Sequence, residues 1–106
     1  MSGRKFDEEK PRMDLLSSVA MVATAKVLTV GAEKYDAHNW RRGFNWTRLI
    51  AAAQRHMLAF NDGEDFDPET GLCHLDHLAC CVMFLQEHFH KGLGKDDRYQ
   101  AGANAE

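Results

Sequence analysis

Hydrophobic and polar residues alternate along this chain with the period of an α-helix in three segments. In the first, LLSSVAMVATAKVLTVGAEKYD, apolar residues recur three or four positions apart, the spacing that places side chains on one face of a helix. The pattern predicts a helix over about residues 17–37, with Ser17 or Ser18 as its N-cap. Gly31 does not by itself stop that helix. The predicted core-facing residues are Leu16, Val19, Ala20, Ala23, Val27 and Val30.

Two further helical segments follow. The second, TRLIAAAQRHMLAF, begins at Thr47, a good N-cap residue, and ends before Gly63. The third, GLCHLDHLACCVMFLQEHF, has Thr70 as its predicted N-cap and ends near Gly92. Because it is apolar on almost every side as far as Gln86, we expect it to be the most buried helix.

The segments around these helices are polar. Residues 1–14 form an arm with charges of both signs, and AHNWRRGFNW connects the first two helices. The run NDGEDFDPETG holds five acidic residues, two glycines and a proline in eleven positions, which predicts a loop. From residue 92 the chain is rich in Gly, Ala and Asp, and we expect a flexible tail over residues 92–106. The helical domain is then residues 15–91.

These elements predict an all-α fold, a small antiparallel helical bundle with three main helices and room for a fourth short one. At 106 residues the chain is long enough for one domain but buries only a modest core, so we expect a homo-oligomer, a dimer or tetramer. The net charge of −3 argues against a general nucleic-acid binder, which needs a basic face.

The cysteines and the absence of long apolar runs predict a cytoplasmic protein. The three cysteines are an odd number without a C-x-x-C pair, which favours reduced, buried thiols. The N-terminus, MSGRKFDEEKPR, is charged and does not resemble a signal peptide. No run approaches the roughly 18 apolar residues that span a membrane.

Three histidines break the apolar pattern. His56 shares a helical face with residues that should point to the core, and His74 and His77 lie three positions apart on the third helix. A short loop makes the second and third helices antiparallel neighbours. His56 and His77 are each six residues from an end of that loop, Asp62 or Gly71, so we expect the three histidines to converge beside it.

The loop adds acidic residues to that convergence: Glu64, Asp65, Asp67 and Glu69. One histidine on an apolar face is more often a hydrogen-bonded core residue than a ligand, but three beside acids make a metal or nucleotide site an equal alternative. Cys73 and His77 have a zinc-ligand spacing without an evident fourth ligand. Glu33 and Asp36 share a face near the end of the first helix. They join the site only if the connector brings that end to the loop.

Three long blocks of the sequence occur in a fixed order: GRKFDEEKPRMDLL, VLTVGAEKYDAHNWRRG and RHMLAFNDGEDFDPETGLCHLDHLACCVMFL. They resemble the phage and bacterial dATP/dGTP diphosphohydrolase family, small helical enzymes related to the all-α, MazG-like nucleoside triphosphate pyrophosphatases. The resemblance covers about residues 3–91. It implies hydrolysis of dATP or dGTP to the monophosphate and pyrophosphate with Mg²⁺ or Mn²⁺, in the host cytoplasm if the chain is phage-encoded.

The recurrent positions of that family fall on residues in the arm, the connector and the loop region. The resemblance implies substrate-binding positions at Lys10, Arg12, Lys34, Tyr35, Asn39, Trp40, Arg55 and His74. Further recurrent positions are His56, Gly63, Glu64, Asp67, Gly71 and His77. The paired helical E-x-x-E and E-x-x-D motifs of the wider superfamily are not plainly present, since Glu64 and Asp67 have that spacing in a loop.

The implied chemistry needs a cation that bridges phosphate oxygens, which favours oxygen ligands. We expect metal ligands among Glu64, Asp67, His56, His77, Glu33 and Asp36. The expected catalytic residues are His56, Glu64, Asp67 and His77.

The remaining residues are expected to bind the nucleotide. Arg55, with Lys10 or Arg12, would neutralise the triphosphate. Trp40 or Tyr35 would stack on the base, and Asn39 would hydrogen-bond to its edge. His74 would not bind the metal itself but would hold the metal-binding residues in position.

Two other function classes fit the same residues. A non-catalytic helical module that binds a nucleotide or a metal would be stabilised by nucleotide without forming product. A structural oligomeric bundle, with the histidines as core residues, would show neither effect.

Overall fold

The computed structural model describes residues 3–100 and contains three α-helices. They are α1 (Ser18–Lys34), α2 (Trp46–Asn61) and α3 (His74–Lys91). Single-turn 3₁₀ helices occupy Met13–Leu15 and Asn39–Arg42. Because residues 3–100 contain no β-strand, the all-α prediction with three main helices is confirmed.

Helices α2 and α3 form an antiparallel hairpin that supplies most of the core. At one end the Trp46 and Phe89 rings lie 6.2 Å apart. At the other, the His56 and His77 rings stack at 4.7 Å. The start of α2 therefore lies beside the end of α3, as the short connecting loop predicts.

The helix ends follow the sequence signals only in part. Ser17 is the N-cap of α1, and its hydroxyl accepts a hydrogen bond from the Ala20 N–H at 3.1 Å, as predicted. The N-cap predictions for Thr47 and Thr70 are wrong, because Asn45 precedes α2 and Cys73 precedes α3. Gly92, in the left-handed conformation, ends α3 where the sequence predicts.

The segment after α3 folds back onto the start of α2. The Trp46 indole N–H donates to the Leu93 carbonyl at 2.9 Å, and the Trp46 backbone N–H donates to the Lys95 carbonyl at 2.9 Å. The Asp97 carboxylate accepts hydrogen bonds from the Thr47 N–H and hydroxyl, at 2.9 and 2.6 Å. Residues 93–97 of the predicted flexible tail are therefore docked, while residues 101–106 lie outside the described residues.

Helix α1 packs against α3 and leaves much of its apolar surface exposed. None of its 17 residues is buried. Of the predicted core stripe, Ala23 and Val27 are half-buried, whereas Leu16, Val19, Ala20 and Val30 are exposed, Val19 to 79%. The stripe prediction is wrong at those four positions, because no described part of the chain covers them. Among the described residues, no helix combines the length and apolar character needed to cross a membrane.

Candidate functional site

A cavity of about 750 Å³ lies between the end of α1, the connector and the loop end of the hairpin. Lys34 in the last turn of α1 forms an ion pair with Glu69 of the acidic loop at 3.2 Å, which shows that α1 ends beside the loop. The polar or aromatic predicted residues along its wall are Lys34, Tyr35, Asp36, Asn39, Trp40, Arg55, His56, Asp67, His74 and His77.

The three histidines converge as the sequence predicts. The Nδ1 atoms of His56 and His74 are 2.9 Å apart, and the His56 ring stacks on the His77 ring with an interplanar angle of 7°. His56 is half-buried and His74 is buried. His56 and His77 are close because the two antiparallel helices hold them at similar distances from the connecting loop.

Asp67 completes this group from a loop held by backbone hydrogen bonds. Its N–H donates to the Leu72 carbonyl at 2.8 Å, and its carbonyl accepts from the Gly71 N–H at 2.7 Å. Its Oδ1 accepts from the Glu69 N–H at 2.7 Å. Its Oδ2 lies 3.8 Å from His56 Nδ1. The loop is therefore a fixed turn that delivers one carboxylate oxygen to the histidines.

The protonation of the group follows from burial and neighbouring charge. Burial lowers the pKa of His56, and the adjacent His77 lowers it further against the opposing effect of Asp67. Burial by itself would raise the pKa of Asp67, but the backbone N–H of Glu69 and the nearby His77 leave it lowered. The cluster thus favours a neutral His56 beside an ionised Asp67.

His77 is oriented by Thr70, which the sequence predicts to be a helix cap. The Thr70 hydroxyl oxygen lies 2.7 Å from His77 Nε2 and accepts a hydrogen bond from the Leu72 N–H at 3.2 Å. A hydroxyl oxygen has two lone pairs, so that of Thr70 can accept from the Leu72 N–H and also from an Nε2–H of His77.

Cationic side chains line the cavity near this cluster. Arg55 was predicted, whereas Arg48 was missed, and both line the wall. They are seven positions apart on α2, a spacing that places two residues on one helix face. That spacing could have identified Arg48 as well as Arg55 from the sequence.

The aromatic residues divide between core and cavity. Trp40 is only 7% exposed; its ring stacks on Phe84 at 4.5 Å, with the Arg41 guanidinium over it at 4.4 Å. Trp40 lines the cavity, but Phe84 and Arg41 cover its ring faces, which leaves little open face for a base. Tyr35 is 57% exposed and lines the cavity together with Asn39.

Some predicted residues are not brought to the cavity. Lys10 and Arg12 lie in the exposed arm, where Arg12 pairs with Asp14 at 2.7 Å. They and Glu33 do not line the cavity wall. Glu64 contacts the cluster only through His74, at 2.7 Å. The structure therefore does not bring Lys10, Arg12 and Glu33 to the cavity, and their predicted roles stay predictions.

Three donor atoms of the cluster lie close enough together that they could hold a metal ion. His56, Asp67 and His74 each place one ligand atom within 4.8 Å of the other two. Within residues 3–100, this is the one group of three or more His, Cys, Asp or Glu side chains that meets this distance. Imidazole nitrogen and carboxylate oxygen are common ligands of divalent transition-metal ions. Within residues 3–100, Cys73 and His77 do not belong to such a group, so the structure adds no further ligands to this possible zinc pair.

The whole chain has relatives among known proteins. The family model described as "dATP/dGTP diphosphohydrolase, N-terminal" matches residues 1–98. A protein of Salmonella phage PMBT28 named "dATP/dGTP diphosphohydrolase" is 36% identical over 103 residues, which is 97% of this chain. The chain spans only 35% of that relative's length. No solved structure matches the chain.

Proposed function

Since this chain belongs to the dATP/dGTP diphosphohydrolase N-terminal family, we propose that its cavity binds dATP or dGTP and hydrolyses it with a divalent metal ion, Mg²⁺ or Mn²⁺. The products would be the deoxynucleoside monophosphate and pyrophosphate. The name of the Salmonella phage relative supports this substrate class. Because the chain spans about a third of that relative, activity of this chain by itself is part of the proposal.

One observation carries the proposal: three imidazoles and a carboxylate converge on the wall of a cavity that is also lined by Lys34, Arg48 and Arg55. Phosphoryl transfer depends on positioned charge more than on covalent chemistry. The cavity combines cationic side chains for a polyphosphate with a compact group of metal and proton ligands. A structural bundle needs neither feature.

The reaction breaks the α–β phosphoanhydride bond. Oxygen from water forms a bond to the α-phosphorus, pyrophosphate leaves with the bonding electron pair, and a proton from the water must be accepted. His77 is the proposed acceptor: its ring stacks on His56, and with its Nε2–H donated to the Thr70 hydroxyl oxygen, its Nδ1 would have a free lone pair for the proton. A divalent ion held by His56, Asp67 and His74 would supply charge neutralisation to the phosphate oxygens.

The remaining cavity residues would position the nucleotide. Arg48 and Arg55 would contact the phosphates, for which the guanidinium group is well suited. Tyr35 would stack on the purine, and Asn39 would bond its edge. Lys34 is held by Glu69 and would be released to phosphate only if that ion pair opens.

A release assay tests the activity. Pyrophosphate is measured with the purified chain on four deoxynucleoside and four ribonucleoside triphosphates, with Mg²⁺, Mn²⁺ or chelator. We expect product from dATP and dGTP with metal and none with chelator. Nucleotide-dependent thermal stabilisation without product would instead indicate the non-catalytic binding module.

The homo-oligomer expected from the sequence stays a prediction. Its structural support is the apolar surface of α1, where Val19, Met21 and Val22 are each more than half exposed. Such a surface on a small domain favours association with another apolar surface, and we propose a second copy of this chain as its occupant.

A further inference from the structure

Both ring nitrogens of His74 have partners inside the site. Its Nδ1 lies 2.9 Å from Nδ1 of His56, and its Nε2 lies 2.7 Å from Oε1 of Glu64. The His74 side chain is 5% exposed, whereas that of Glu64 is 54% exposed. The buried His74 ring therefore lies between His56 on one side and the solvent-exposed Glu64 carboxylate on the other.

The hydrogen bond to Glu64 decides which nitrogen of His74 faces the site with a free lone pair. A carboxylate oxygen only accepts hydrogen bonds, so Nε2 of His74 must carry the hydrogen. In the neutral ring Nδ1 then has the lone pair. The hydrogen between the two Nδ1 atoms of the metal-free protein accordingly belongs to His56.

Glu64 is itself held in place by the end of α2. Its N–H donates to the Ala59 carbonyl at 3.0 Å, and the preceding Gly63 N–H donates to the Phe60 carbonyl at 3.0 Å. Among the described residues, the donor atoms within 4.8 Å of one another come from His56, Asp67 and His74. Glu64 is outside that group, although the sequence predicts it to be a metal ligand.

We propose that Glu64 is a positioning residue that fixes the His74 tautomer. Nδ1 of His74 then joins His56 and Asp67 in a site that prefers a transition-metal ion such as Mn²⁺ to Mg²⁺. The inference rests on the proposed function for its biological role, but metal binding is measurable without turnover.

The preference follows from the donor types. Mg²⁺ favours oxygen ligands and octahedral geometry and dehydrates reluctantly. Two imidazoles beside one carboxylate suit transition-metal ions better. A carboxylate behind a ligating histidine fixes its tautomer and makes it more basic, and loss of such a partner typically weakens metal binding about 10–100-fold.

The test compares two alanine variants in the same loop. Glu64→Ala removes the partner of His74. Asp62→Ala removes an exposed carboxylate at the end of α2 and is the matched control for loss of one negative charge. Circular dichroism establishes that both variants are folded. Mn²⁺ and Mg²⁺ affinities are measured by calorimetry, and histidine tautomers in the metal-free protein by long-range ¹H–¹⁵N spectra.

We expect the wild type to bind Mn²⁺ at least about 10-fold more tightly than Mg²⁺, with His74 as the Nε2–H tautomer. Glu64→Ala should weaken Mn²⁺ binding about 10–100-fold and give a mixture of His74 tautomers. Asp62→Ala should do neither.

Three results would overturn the inference. Unchanged Mn²⁺ affinity in Glu64→Ala would exclude a role for Glu64. Weaker binding with the His74 tautomer unchanged would make Glu64 a ligand. Equal or tighter binding of Mg²⁺ would refute the metal preference. If the expected binding and tautomers appear but the wild type releases no pyrophosphate, the metal site stands and the proposed function fails.

Discussion

Asp67 links the loop to the histidines because its two carboxylate oxygens have different neighbours. Oδ1 accepts the Glu69 N–H and fixes the turn, while Oδ2 faces His56. The backbone of the same residue is bonded to Leu72 and Gly71. Replacing its side chain therefore tests the proposed ligand group, and an amide at this position keeps the acceptor that holds the turn.

His56 should make the stability of the fold depend on pH. Its pKa in the folded protein is lowered by burial and by His77 from an ordinary value of about 6.5. The unfolded chain therefore binds the proton first as the pH falls. Stability due to the neutral ring is complete above pH about 6.5 and is lost as the pH falls through the lowered folded-state pKa.

The measurement is the melting temperature between pH 7.5 and 5 for wild type and His56→Gln. As the pH is lowered from 7.5 to 5, we expect the melting temperature of the wild type to fall by more than that of His56→Gln. His90→Gln, at an exposed position near the end of α3, controls for replacement of an imidazole by an amide. Equal pH slopes in wild type and His56→Gln would contradict the assignment of a neutral, desolvated His56.

At the scale of elements, the hairpin is closed at one end by the loop and at the other by the segment after α3. Gly94 permits this second closure. A Cβ atom at Gly94 would lie 2.0 Å from the Phe44 carbonyl oxygen, in a backbone conformation with φ of +64°. Because glycine has no Cβ atom, the backbone at Gly94 can approach Phe44 closely. This brings the segment after α3 within hydrogen-bonding distance of Trp46 and Thr47.

Gly94→Ala should therefore destabilise the fold more than Gly92→Ala. Gly92 has a similar φ of +67°, and a Cβ there would meet nothing within 4 Å. We expect about 1 kcal/mol loss for Gly92→Ala from backbone strain and about 1–3 kcal/mol more for Gly94→Ala from the added overlap. Urea unfolding of the two variants measures the difference. Equal losses would show that the docked segment does not contribute to stability.

The elements show which features are predictable from sequence. Helical periodicity predicted three helices, and equal distances from the loop predicted that His56 and His77 meet, because both depend on regular spacing. The sequence did not predict the capping of α2 by Asp97 or the hydrogen bond between Thr70 and His77. Each joins segments that no local pattern relates. The sequence predicts base stacking by Trp40 and gives no sign of its burial. That burial comes from contacts with Phe84 and Arg41, which form only in the complete fold.

At the scale of the whole molecule, the chain is more extended than a compact domain of its length. Its radius of gyration is 17.5 Å, with extents of 64 × 41 × 29 Å, against about 13 Å expected for 100 residues. Several apolar residues of α1 are also exposed, among them Val19, Met21 and Val22. An extended shape with an uncovered apolar helix is typical of a chain that associates.

A charge placed on α1 should therefore disrupt the predicted homo-oligomer. We expect multi-angle light scattering to give a dimer or tetramer for wild type and a smaller species for Val19→Asp, because association would bury that carboxylate. Val82→Asp, at an exposed valine of α3, is the matched control and should keep the wild-type mass. A monomeric wild type would refute the second copy as occupant.

The initial rate of pyrophosphate release from dATP and dGTP by Asp67→Asn tests the central claim most directly. The variant removes the negative charge that faces His56 and keeps an oxygen that can accept the Glu69 N–H. With wild type active under the same Mn²⁺ conditions and the variant folded, we predict a fall in rate of at least about 100-fold. A rate within about twofold of wild type would contradict a catalytic site at His56, Asp67 and His74.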